Sequence, residues 1–107
     1  MVLLSSPLVF GSSKQIGEIA LAKRLPLVSL FADFPKAGGF MAYGPDLSEL
    51  YRRCADYVGR VLHGANPSDL PIQRPEKFDL VINLKTAEAL GLSVPPLLLS
   101  RADEVIE

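Results

Sequence analysis

Cysteine and histidine are nearly absent: the 107 residues contain one of each, Cys54 and His63. A single cysteine excludes an internal disulfide, and neither residue has the company that a metal site needs at ligand spacing. Charge of one sign is equally scarce. The formal net charge is −1 and no basic run exceeds the pair Arg52-Arg53, so nucleic acid and anionic membranes are not expected as partners. Long apolar runs are missing too. Met1 to Phe10 has no positive leader and is broken by Pro7, so it is expected to be neither an export signal nor a membrane span. Gly11-Ser12-Ser13-Lys14 holds only fragments of a phosphate loop, which needs a second glycine five residues away and Lys-Ser/Thr after it. No Gly-x-Ser-x-Gly elbow, Cys/His pair or repeated acidic pair occurs. The chain is therefore expected to carry no catalytic residue, metal or cofactor and does not read as an enzyme.

What is present is the balance of a globular chain, 49% hydrophobic and 21% charged, long enough for one small domain over residues 1–107. Val2 to Leu4 reads as a short buried strand ending in a polar loop. Ser12, with Gln15 three residues on, has the spacing of a capping box, and Ile16, Ile19 and Ala20 recur on one face of the helix it opens. That helix is expected to end near Arg24, ahead of Pro26. Pro26 to Leu30 is a second buried strand, and strand, helix, strand in this order implies a right-handed parallel unit. Phe31 to Lys36 is a loop or single turn, in which Phe31 and Phe34 either cap the core or line a pocket.

The organising stretch is Ala37 to Asp46. A glycine pair opens it, three apolar residues suggest a strand, and Tyr43 ends the strand ahead of a Gly44-Pro45 turn. Asp46 then starts the most regular helix, with Glu49 at reciprocal capping distance and Leu47, Leu50, Tyr51, Cys54, Val58, Val61 and Leu62 in an apolar stripe. Cys54 on that stripe reads as a small buried hydrophobe, His63 as a partner of the helix dipole, and Gly64 as the stop. Ser68 to Pro75 is stiffened by proline into a surface strap. Phe78 to Leu84 alternates as a strand. Asn83 can cap a short helix over Lys85 to Leu90, Gly91 stops it, a further turn runs through Leu97 to Leu99, and Val105 and Ile106 suggest a last strand. The fold class expected is α/β, a three-layer arrangement of a mostly parallel sheet with flanking helices.

Open α/β sheets gather ligand contacts at the carboxyl ends of strands. That rule selects Ser5 and Ser6 after the first strand, Phe31 and Asp33 after the second, and Tyr43 after the third. Hydroxyls supply hydrogen bonds, and Asp33 either pairs with a ligand ammonium or caps a turn. The rings can stack on a planar or apolar group.

Five segments together resemble a known family: Ala37 to Pro45, Leu50 to Arg53, Pro67 to Pro71, Lys77 to Ala87 and Arg101 to Ile106. In order and spacing they are similar, across nearly the whole chain, to the carboxy-terminal part of ABC-transporter substrate-binding proteins of the tryptophan/tyrosine type. The resemblance implies the second lobe, plus crossover helix, of a type I periplasmic binding protein. The first lobe is then lacking from these residues. It implies a small-molecule solute such as an amino acid, an ABC permease as partner, and a periplasmic location. A chain complete as given, without an export signal, would instead be cytoplasmic. Family members often carry an acidic residue where this chain has Ser5-Ser6-Pro7. The Leu47 to Leu62 stripe, each large side chain of which is worth roughly 1.5–3 kcal/mol when buried, then needs a substitute partner. A homodimer or higher assembly burying Leu50, Cys54 and Val58 would supply one. The alternatives are an oligomerisation or interaction module without transport activity, and a small α/β enzyme or receiver-like domain.

Overall fold

The architecture is that of a computed structural model describing all residues from Met1 to Glu107. The chain forms a four-stranded sheet in the order β1 (Val28–Ser29), β2 (Met41–Pro45), β3 (Phe78–Asn83), β4 (Glu104–Ile106). The outer ladders, β1 with β2 and β3 with β4, are parallel, and the central β2–β3 ladder is antiparallel. Val2 adds a single parallel bridge to Val28 at the β1 edge. The sheet is thus mostly parallel with flanking helices, as the residue pattern implies, but the reversal at its centre decides what meets at each end.

The chain has six helices: α1 (Pro7–Gly11), α2 (Ser13–Ala22), α3 (Asp33–Lys36), α4 (Leu47–Leu62), α5 (Leu84–Leu90) and α6 (Pro96–Arg101). The first begins at Pro7, the last residue of the polar loop expected after Leu4. Ser6 caps it through a bond from the Val9 N–H at 3.2 Å, and Pro7 fits its first turn because proline has no N–H to lose there. This also corrects the expectation for Ser12. Its hydroxyl makes no capping bond and its N–H is taken by the Leu8 and Val9 carbonyls, each at 3.2 Å, because α1 already runs into it. Helix α2 ends as expected, with Arg24 in the left-handed region at φ 55°.

The core is small. Ala20 of α2, Leu27 before β1 and Phe34 of α3 are buried together, with Leu3, Val9, Phe10 and Ile16 packed around them. Asn83 joins this layer to the sheet. Its side-chain N–H donates to the Pro35 carbonyl at 2.7 Å, its oxygen accepts from the Thr86 N–H at 3.0 Å, and the Thr86 hydroxyl donates to the Gly38 carbonyl at 3.2 Å. Gly64 and Gly91 terminate α4 and α5 with φ of 101° and 71°, and the Leu92 N–H folds back to the Ala87 carbonyl at 2.8 Å.

Two expectations about the middle of the chain are corrected. Tyr43 does not end its strand, since β2 continues through Gly44 and Pro45, which pair with Asp79 and Phe78. Cys54 is exposed and no residue of α4 is fully buried. The helix has the predicted limits and its Asp46 cap, with bonds from the Ser48 and Glu49 N–H groups at 2.9 and 3.2 Å. Glu49, however, turns to Arg52 and Arg53 at 3.3 and 3.2 Å instead of reaching back. No other helix or strand packs extensively on α4. Its companion is the strap, clipped on by Tyr57, whose hydroxyl donates to the Pro71 carbonyl, and by Arg53, which reaches the Arg74 carbonyl and Glu76 at 3.5 Å. Helix and strap form an arm that leaves the sheet after Pro45 and returns at Phe78. No helix is long and apolar enough to cross a membrane.

Candidate functional site

The antiparallel centre places the carboxyl ends of β1 and β2 beside the amino ends of β3 and β4. A cavity of about 540 Å³ opens at that edge, at the root of the arm. One wall is Leu30 to Asp33, the chain leaving β1. This wall is held by the Ser29 hydroxyl, which donates to the Phe31 carbonyl at 3.2 Å, and by Phe31 packing edge-on against Phe10 with centroids 5.7 Å apart. The facing side is Asp46, Leu47 and Ser48 at the start of α4. Asp79 and Val81 come from β3, Asp103 and Glu104 from the start of β4 and the residue before it, and Gly44 and Pro45 from the end of β2, with Lys36 and Lys77 completing the lining.

The charges are mostly engaged. Lys36 pairs with Glu104 at 3.6 Å, both exposed, and exposed Lys77 with half-buried Asp79 at 3.9 Å, long surface contacts of little energetic weight. Asp46 holds the α4 cap. Asp103 accepts from the Leu80 N–H at 2.7 Å, while its own N–H donates to the Leu80 carbonyl at 2.8 Å. The Asp33 carboxylate has no hydrogen-bond or ion-pair partner, which leaves it free for an incoming cation. No three His, Cys, Asp or Glu side chains are arranged to hold a metal ion.

Of the residues selected from sequence, Phe31 and Asp33 both line this cavity. Ser5 and Ser6 are exposed on the loop before α1, where Ser6 serves as its cap. Tyr43 stands on the opposite face of the sheet from buried Ala42 and Gly44. It is 58% exposed and stacks on Phe78 at 5.8 Å. Among the residues that sequence reasoning missed, Lys77, Asp79, Asp103 and Glu104 sit at or just before the amino ends of strands. Searching only carboxyl ends passes over them, and nothing in the strap's composition announces that β3 runs backwards.

A mixed sheet with a polar cavity at its strand ends, approached by a helical arm, is an α/β arrangement of the kind that gathers ligand contacts at strand ends. The comparisons narrow this. The family model described as ABC transporter substrate binding protein matches residues 4–106, and the chain belongs to that family. None of the curated proteins compared with it matches. Among solved structures, it is similar to a conserved domain protein from Vibrio cholerae O1 biovar El Tor, with 28% identity and a TM-score of 0.89 over 97% of this chain and 35% of that one. An ABC domain from Streptococcus pneumoniae in complex with L-Trp superposes with the same TM-score at 23% identity, over 98% of this chain and 36% of that one. A ligand-free, open substrate-binding protein with adhesive properties from Clostridium difficile gives 0.62 at 20% identity, again over 98% of this chain and 35% of that one. The chain thus spans about a third of the length of each of these structures.

Proposed function

We propose that this chain forms one wall of the solute-binding cleft of an ABC importer, taking an amino acid or similar small solute for delivery to a membrane permease. The observation that carries the reading is the cavity at the strand ends, bearing the unpartnered Asp33 and the Phe31 ring, in a chain of this family. Asp33 takes the solute's ammonium and Phe31 its apolar or planar part. The reading is one of binding without turnover, on the outer side of the cytoplasmic membrane. It assigns the open face of α4 to a companion lobe of the kind the remaining length of the solved relatives would supply. Nothing in the comparisons supports the alternative of a homodimer through Leu50, Cys54 and Val58.

The test is an NMR titration of the labelled chain with L-tryptophan and then the other amino acids at millimolar concentration, a range that detects a half-cleft. Shifts are expected at Phe31, Ala32, Asp33 and Asp46. Asp33→Asn is expected to weaken binding about ten- to a hundredfold, the worth of one charge-assisted hydrogen bond. A chain silent to every amino acid would remove the reading.

A second reading, a protein-interaction module, is favoured by one feature. Cys54, Val58 and Leu62 of α4 and Pro67, Leu70 and Ile72 of the strap line an open apolar groove. Sedimentation that shows a lone chain at micromolar concentration counts against self-association through it.

A further inference from the structure

We propose that Gly44 is the positioning residue of the cavity, setting where the Leu30 to Asp33 wall stands and hence the space open to a solute. The inference rests on the binding reading above. Gly44 is buried in β2 opposite Asp79, with the chain leaving β1 laid directly over it. A Cβ at this position would overlap the Leu30 carbonyl oxygen and lie 3.0 Å from both the Leu30 carbonyl carbon and its Cδ1. The obstacle is chiefly backbone, so no rotamer change relieves it.

The backbone of Gly44 is not in the left-handed region, which Gly38, Gly64 and Gly91 occupy. Glycine is therefore needed here for room and not for conformation. The wall it admits is tied together: the Ser29 hydroxyl holds the Phe31 carbonyl, and the Phe31 ring rests on Phe10. A methyl group at position 44 moves that wall as a unit, carrying Asp33 away from Asp79 and Val81 across the cavity. Gly44 itself lines the floor of the cavity and has no side chain to offer a solute; in this scheme it acts through the wall. Gly59 on the arm is the natural contrast, because a Cβ there meets nothing within 4 Å.

The chain has no tryptophan, so Phe31→Trp installs a single reporter in the wall. Its emission and acrylamide quenching are compared in three backgrounds: native, Gly44→Ala and Gly59→Ala. Gly44→Ala is expected to red-shift the emission and raise the quenching while circular dichroism stays native, and Gly59→Ala to do neither. With Phe31 restored, Gly44→Ala is expected to raise the Kd for L-tryptophan about tenfold relative to Gly59→Ala. Identical emission and quenching in all three backgrounds would overturn the positioning role. So would a Gly44→Ala chain that fails to fold, because glycine would then serve the sheet as a whole. If the native chain binds no amino acid, the binding reading falls, and the reporter alone still decides whether Gly44 places the wall.

Discussion

Asn83 shows how one side chain can commit both ends of its amide. It is 6% exposed, caps α5 with its oxygen and holds the Pro35 carbonyl with its nitrogen. Asn83→Ala strips a helix cap and leaves the Pro35 carbonyl with only the Gly38 N–H at 3.2 Å, so unfolding in urea is expected to show a loss of about 1–3 kcal/mol. A loss well under 1 kcal/mol would mean that water replaces the amide. Half of this role was legible beforehand. The cap lies three residues from Thr86 and follows from local spacing, whereas the bond to Pro35 joins residues 48 apart and depends on which way β3 enters the sheet. Ser12 and Cys54 fail for related reasons. A capping pattern cannot tell that the preceding Ser6-Pro7 has already started a helix, and an apolar stripe marks a face without saying that anything covers it.

At the scale of elements, α4 was the most legible part, with Asp46 and Gly64 marking its ends and a strong period between. Asp46→Ala removes the acceptor for two N–H groups and is expected to cost about 1 kcal/mol, read as a lower denaturation midpoint at unchanged slope. A changed slope would indicate that the arm had come loose altogether. The four strands of the sheet were legible as strands, from alternation and turn residues, but their directions were not; Val2 to Leu4, expected as a buried strand, makes only the bridge at Val2 and leaves Val2 and Leu4 exposed. A connection as long as the arm can return the chain either way, so the antiparallel β2–β3 ladder left no local signature. That one unknown hid half of the cavity: Phe31 and Asp33 were found by the rule of strand ends, while Asp79 and Asp103 required the register.

The whole molecule is extended. Its radius of gyration is 16.9 Å where about 13 Å suits a compact chain of this length. Its accessible surface is 7376 Å², about 1,500 Å² more than a compact protein of its mass presents. Much of that excess belongs to the arm, whose strap leaves Tyr51, Val58 and Leu62 in solvent. The arm also has a bearing on the order of folding. Pro45 and Phe78 are neighbours in the sheet although the entire arm lies between them in sequence, so closing the central ladder from an open chain carries a large loop entropy. Helix and strap are local to one another, and once they dock they bring those two ends side by side. The rate-limiting barrier should then be crossed with the arm already formed. Tyr57→Phe, which removes the hydroxyl that clips the strap at Pro71, is expected to destabilise by about 1 kcal/mol and to do so by slowing folding, with unfolding nearly unchanged in stopped-flow measurements. Faster unfolding at an unaltered folding rate would show instead that the sheet closes first and the strap settles onto the helix afterwards.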